Sequence, residues 1–434
     1  MNKLKLLFSI IILYQSTSAQ SWQVSTLSPM PEPITNNAIC EGFIDDTTFV
    51  YSFAGMDSTK LSSGIHLRSY RYNTNTDEWM QLADLPDASG KIAAGASRIG
   101  STIYIIGGYH VLANGNEISS NRTHRFDITT NSFLDDAANI PIAIDDQVQC
   151  VWRDSLIYVI SGWSNTGNVN AVQIYDAVSN NWQDGQSVPN NNTFKCFGAS
   201  GTIVGDTIYY FGGASMGANF PAQNSMRKGI IDPLNPTQIA WSSSVPDPTM
   251  KAYRAACTDV DEFAVWIGGS DITYNYNGIA YNGSGGVSPV NRTIWNYTPT
   301  SAYAIDLANN LPMDLRGVAN ASNHTKYIAG GMNANQQVTD ALLRLDFDSS
   351  TAIENSKRTA FNITIFPNPA TTIIHVAGAS NQSTFEIEIM NVFGQVLNRF
   401  FNEISIDVSK FPSGNYLLKY TDRNGIAVKR LTIR

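Results

Sequence analysis

Along most of the chain, apolar residues fall in short β-branched and aromatic runs separated by Gly, Asn, Asp and Ser, and helix formers never hold a long register. That pattern predicts an all-β protein with many turns. One run recurs six times: a β-rich stretch ending in two small residues, at Ala54-Gly55, Gly107-Gly108, Ser161-Gly162, Gly212-Gly213, Gly268-Gly269 and Gly330-Gly331. The spacings are 53, 54, 51, 56 and 62 residues, so the unit is a supersecondary repeat rather than a single strand.

After each small pair comes a strand end carrying an aromatic or Asp, then a second aromatic, then an apolar-Pro step. The first unit has Tyr72, Trp79 and Leu85-Pro86; the second Phe126-Asp127, Phe133 and Ile140-Pro141. The third has Tyr175-Asp176, Trp182 and Val188-Pro189; the fourth Ile231-Asp232, Trp241 and Val245-Pro246. The fifth shows Ile305-Asp306 and Leu311-Pro312 with no Trp in register, and the sixth stops one strand short after Leu345-Asp346. The missing strand stands at the other end, where Ser21-Trp22-Gln23-Val24 precedes Met30-Pro31. These residues resemble the kelch repeat, whose blades are four-stranded sheets. The resemblance implies a six-bladed β-propeller over residues 20–348, closed by the N-terminal strand so that no sheet edge stays open.

Residues 349–360 are polar and aperiodic and read as a linker. Alternating strands then resume at Ile363-Thr364-Ile365, Ile373 to Val376, Phe385 to Ile389, Tyr416 to Tyr420 and Ala427 to Ile433, the pattern of a small Ig-like β-sandwich. Phe366-Pro367-Asn368-Pro369-Ala370, Asn391-Val392-Phe393-Gly394-Gln395-Val396, Ile406-Asp407-Val408-Ser409 and Pro412-Ser413-Gly414-Asn415-Tyr416 resemble the type A sorting domain of the type IX secretion machinery. The resemblance covers residues 361–434. It implies that this machinery is a partner, that the chain crosses the outer membrane to be secreted or surface-attached, and that the domain is commonly removed on the way.

At the N-terminus, Lys3 and Lys5, the apolar run Leu6 to Leu13 and Ser16-Thr17-Ser18-Ala19 form a signal peptide over residues 1–19. The apolar run is too short for a membrane span, and no Cys follows the cleavage site, so a soluble, non-acylated mature chain is expected.

Charge alters the picture by exclusion. Only 15% of residues are charged and the net charge is −8, which argues against nucleic-acid binding. Five scattered His residues show no metal-ligand spacing, so no metal and no cofactor is expected. No sialidase box, nucleophile elbow, phosphate loop or calcium loop occurs. Cys40, Cys150, Cys196 and Cys257 sit where other repeats carry small residues and read as core positions rather than disulfides.

Chemistry is therefore sought where propellers hold ligands. Counting back 14 to 17 residues from each small pair gives Asn37, Lys91, Gln147, Lys195, Arg254 and Arg316 at the starts of the channel-lining strands. Four of the six are basic and would focus a positive potential suited to an acidic sugar. The competing reading is structural, with these side chains bonding the backbones of neighbouring blades. His110, Trp163 and Asp271, just after the small pairs, are candidates for contact with sugar faces and hydroxyls, with loop packing as the alternative. The segment from Ser270 to Thr300, rich in Asn, Gly and aromatics, reads as an expanded functional loop. A binding or adhesion module for a carbohydrate or surface protein is favoured over an enzyme. The enzymatic alternative is a mutarotase or epimerase of a sugar acid, as in the exported sialic-acid mutarotases built on six kelch blades, with Glu41, Glu117 and Glu262 as the carboxylates nearest the repeat loops.

Overall fold

The computed structural model describes residues 21–298, 301–307, 310–348, 363–377, 385–391, 395–422 and 425–434. Among the described residues there is no α-helix, and the chain divides into two compact units, one spanning Trp22–Asp346 and the other containing Phe347–Arg434. The signal-peptide and linker readings lie outside the described residues, as does the Val392-Phe393-Gly394 motif.

The first unit is a six-bladed propeller. Blade 1 is Ala38–Ile44, Thr47–Met56, Ile65–Asn73 and Glu78–Gln81; blade 2 is Ile92–Ile99, Thr102–Val111, Thr123–Asp127 and Ser132–Leu134. Blade 3 is Val148–Trp152, Leu156–Ile160, Val172–Asp176 and Asn181–Asp184; blade 4 is Phe197–Val204, Thr207–Ala214, Met226–Asp232 and Asn235–Ser244. Blade 5 is Ala256–Val260, Phe263–Ile267, Arg292–Thr298 and Ser301–Asp306. Blade 6 takes Ala319–Asn320, Thr325–Ala329 and Leu342–Asp348 from one end of the chain and Ser21–Leu27 from the other, so the first strand closes the ring.

The small pairs and the Trp residues join neighbouring blades. In every blade the N–H of the second small residue donates to a carbonyl of the next blade: Gly55 to Lys91, Gly108 to Ile144, Gly162 to Cys196, Gly213 to Ala252, Gly269 to Pro312 and Gly331 to Ile34. In blade 4 the approach leaves no room for a side chain at either residue of the pair: a Cβ on Gly213 would lie 2.8 Å from the Phe197 carbonyl oxygen and one on Gly212 1.9 Å from the Ala252 carbonyl oxygen. Further out, the repeat Trp of blades 1, 3 and 4 reaches back through its indole N–H to the preceding blade, two residues before that blade's apolar-Pro step. Trp79 donates to the Ser28 carbonyl at 3.0 Å, Trp182 to Ala138 at 2.8 Å and Trp241 to Gln186 at 2.9 Å. The rings, Trp182 buried and Trp79 and Trp241 half-buried, thereby satisfy their one donor while filling the space between sheets.

Blade 5 corrects the reading of its motif. Ile305-Asp306 ends the fourth strand, and the third strand carries Trp295 opposite Tyr303, so the two aromatics are exchanged relative to Tyr72 and Trp79 of blade 1. Trp295 packs against Trp22 of the closing strand, with centroids 5.9 Å apart. The expanded segment is consequently shorter than expected, because Arg292–Thr298 belongs to the sheet.

The second unit packs a three-stranded sheet, Thr364–Phe366, Ile373–Ala377 and Ser405–Asp407, and a four-stranded sheet, Val396–Phe401, Phe385–Met390, Gly414–Asp422 and Gly425–Ile433, around one core. Ile365, Ile374 and Ile406 face Ile387, Leu418 and Leu431 across it. Val396–Phe401 and Ser405–Asp407 are strands the alternation did not reveal. The first of them exposes both Leu397 and Phe401, which blurs the in-out pattern.

Candidate functional site: the central channel

Six inner strands converge on the propeller axis, and each is entered through a residue with left-handed backbone: Asn36, Ala93, Asp146, Gly198, Arg254 and Asp314, with φ between 47° and 65°. That conformation turns the chain so that its peptide groups point around the axis. Hydrogen bonds then run from blade to blade: Ala93 N–H to the Asn36 side chain, Asp146 to the Ala93 carbonyl, Gly198 to Asp146, Arg254 to Gly198, Leu315 to Arg254, and Asn36 to Asp314. The ring is complete and closes the channel at the face where the small pairs lie.

Charge locks the ring. Arg254, 2% exposed, donates to Asp146 at 2.6 Å and to Asp314 at 2.9 Å, and Asp314 also accepts from Thr35 and Asn36. Burial opposes the charge on Arg254, but Asp146 and Asp314 overcome it and hold the guanidinium protonated more firmly than usual. Burial pushes the Asp314 carboxyl up despite Arg254, and raises Asp145 well above the carboxylate range, reinforced by the charge of Asp146. Outside the ring an apolar cluster drawn from several blades, including Tyr109, Phe197, Tyr253, Tyr274 and Met332, caps the same face. Arg254 lies over two of these rings, 5.3 Å from Tyr253 and 5.6 Å from Tyr274.

Below the ring the channel is open. Small residues on the inner strands, among them Gly95, Ala96, Ala199, Gly201, Ala255 and Gly317, leave a cavity of about 280 Å³ that faces the short turns joining first and second strands. Its walls carry Glu41, Ser97, Arg98, Gln149, Asp154, Ser200, Thr202, Asp259 and Asn320. Arg316 and Gln147 make the floor. Arg316 of blade 6 reaches across the axis to the opposite blade, donating to the Gln147 carbonyl at 3.0 Å and lying 3.4 Å from Asp146. Near the mouth, Arg98 stands 3.5 Å from Glu41, whose other oxygen accepts from the Asn320 backbone at 3.1 Å. Cys150 and Cys257 also line the cavity; all four cysteines are free, and burial lifts the Cys150 thiol to about 12, so it stays protonated.

Comparisons with known proteins agree with this architecture. Residues 7–213 match the family model of the KLHDC2/KLHL20/DRC7 Kelch-repeats domain, and residues 364–434 match the secretion system C-terminal sorting domain. The chain carries a kelch-repeat domain and a type IX sorting domain. The kelch match stops within blade 4, ahead of the blade whose aromatics are exchanged. Among curated proteins, the kelch chain is 23% identical over 199 residues to Kelch-like protein 36 of Mus musculus, covering 46% of this chain and 30% of that protein. It is 29% identical over 179 residues to Kelch-like protein terF of Aspergillus terreus, covering 40% of this chain and 37% of that one. The chain thus spans about a third of the length of these relatives. The solved structure titled "Structure of YjhT" superposes with a TM-score of 0.58 at 15% identity, covering 74% of this chain and 99% of that one, a likeness of fold. The sorting domain directs the kelch protein through type IX secretion to the cell surface or the exterior. No helix among the described residues is long and apolar enough to cross a membrane.

Of the residues selected from the sequence, the structure brings Gln147 and Arg316 to the channel floor and Arg254 into the ring. The other three do not line the cavity. Asn37 bonds Ser52 and the Ala329 carbonyl. Lys91 is fully buried against Asp87 at 2.5 Å and within 3.1 Å of Ser120 and His124. Lys195 is half-buried two positions ahead of its inner strand. The four cations therefore do not form one positive funnel, since Lys91, Arg254 and Arg316 are each met by a carboxylate. The small pairs mislead by two or three residues in blades 2, 4 and 6, where Ala93, Gly198 and Asp314 occupy the ring position. His110 bonds the Gly90 carbonyl, Trp163 packs edge-on against Phe197 and Phe220, and Asp271 pairs with Arg292. Glu41, Arg98 and Ser200 emerge as channel residues; only Glu41 had drawn notice in the sequence.

Proposed function

We propose that the exported kelch propeller is a binding module that takes a saccharide group into its central channel. The supporting observation is the channel's form, a polar blind pocket with one open mouth and the volume of a single sugar residue. A ligand pocket at the mouth of a closed β-structure is a recurrent arrangement. The leader at residues 1–19 and the surface destination put such a pocket where extracellular glycans are met. The test fills the channel: Thr202→Trp in the full chain should abolish retention on a glycan array while leaving the unfolding temperature within a few degrees. Undiminished retention would move the site elsewhere.

One observation favours an enzymatic reading as well. Glu41 and Arg98 place a carboxylate beside a guanidinium inside the channel, the pairing a sugar-acid mutarotase would use for proton transfer at an anomeric centre. That reading requires the anomeric exchange of a free sugar acid to quicken with the protein present and to slow at least tenfold in Glu41→Gln.

A further inference from the structure

The channel floor holds polar groups that the fold itself leaves unpaired. Gln147 is 2% exposed and its Oε1 has no hydrogen-bond partner among the described residues, although its Nε2 is fixed by the Ile106 carbonyl at 2.9 Å. Arg316 is 9% exposed; its two terminal nitrogens face Gln147 and Asp146, while its Nε–H has no partner. Ser200, on the adjoining wall, has a buried hydroxyl in the same condition. Unpaired buried polar atoms each cost free energy, and most in native proteins are satisfied. One acceptor, one donor and one hydroxyl of either sense thus belong to residues lining the same cavity, Gln147 and Arg316 at its floor and Ser200 on its wall.

We propose that this floor is a subsite for an uncharged, polyhydroxylated ligand group of monosaccharide size, whose hydroxyls donate to Gln147 Oε1 and accept from Arg316 Nε–H, with Ser200 completing the set. A hydroxyl is the group suited to such a site, because it donates and accepts at one atom. Charge favours a neutral group at this floor. Arg316 is already paired with Asp146, and the lining carries Glu41, Asp154 and Asp259 against Arg98 and Arg316, so a carboxylate entering would meet an excess of acidic groups. The Gln147 acceptor would also face a carboxylate without a proton to receive.

This inference rests on the channel being the binding site, and the test separates the two. The probes are methyl hexosides, their single-deoxy analogues and the matching uronates, titrated calorimetrically against the full chain and against Gln147→Met, Ser200→Ala and Thr202→Trp. At least one neutral hexoside is expected to bind. Gln147→Met should weaken it roughly tenfold and Ser200→Ala roughly threefold, with one deoxy analogue losing affinity in the native protein but not in the variant lacking its partner. The uronate should bind at least about tenfold more weakly than its neutral parent. A uronate that binds more tightly overturns the proposal, as does neutral binding sensitive to Thr202→Trp but indifferent to Gln147→Met and Ser200→Ala, which would keep the channel and discard its floor. Binding untouched by Thr202→Trp overturns both readings. If no hexoside binds at tens of millimolar, the floor serves hydration alone and the proposal fails.

Discussion

The two ends of the propeller channel are built from the same six strands yet differ in nearly every physical respect. At the small-pair face the backbone takes left-handed turns, the peptides bond in a ring, Arg254 neutralises Asp146 and Asp314, and aromatic side chains cover the whole. At the other face, short turns leave the channel walls spaced apart and bare polar groups along them. The contrast teaches that a repeat architecture can close one mouth by backbone geometry and leave the other open.

The sharpest way to break this contrast is Arg254→Leu, which leaves Asp314 buried without its cation and Asp146 with only Arg316, 3.4 Å away. A loss of about 3–5 kcal/mol is expected in denaturant unfolding. A change below about 1 kcal/mol would mean the ring holds without its charge. Next in size comes a pair of glycines from one blade. Gly212→Ala at the closed end forces a methyl into the Ala252 carbonyl at a φ of 70° and should cost roughly 2–4 kcal/mol. Gly205→Ala at the open end, with a φ of 61° and nothing within 4 Å, should cost only the conformational penalty of about 1 kcal/mol. Equal costs would erase the asymmetry.

The smallest effect is a pH dependence. Asp145 has its folded-state pKa raised above 3.8 by burial and by Asp146, so its contribution is most favourable below pH 3.8 and declines as pH rises through the folded value. Asp145→Asn should therefore flatten the alkaline side of the stability profile, its difference from the native protein shifting in the variant's favour with rising pH. A constant difference across that range would show that Asp145 is not held protonated by the closed end.

The repeats were legible because the constraint on each is local and carried by residue type. The second small residue meets a carbonyl of the next blade, and the Trp of blades 1, 3 and 4 reaches the same step of the preceding blade, so chemistry recurs at fixed spacing. Trp22 and Met30-Pro31 announced the closing strand for the same reason. The ring was not legible. Asn36, Ala93, Asp146, Gly198, Arg254 and Asp314 share a backbone conformation and no side-chain chemistry, and their distance from the small pair varies between 14 and 18 residues. Counting from the pair consequently reached Lys91 and Lys195, which serve blade packing, in place of Ala93 and Gly198.

By itself the sequence determined the all-β class, the six blades, the strand that joins the two ends of the propeller and the sorting domain, since each depends on short-range pattern or on motifs in order. Which residues meet at the axis was decided only by the tertiary structure. Arg316 finds its partner 169 positions away, on the opposite blade, and Arg254 finds its carboxylates 108 and 60 positions away. Closing the ring is what brings these distant positions within hydrogen-bonding range, and no periodicity along the chain records that step.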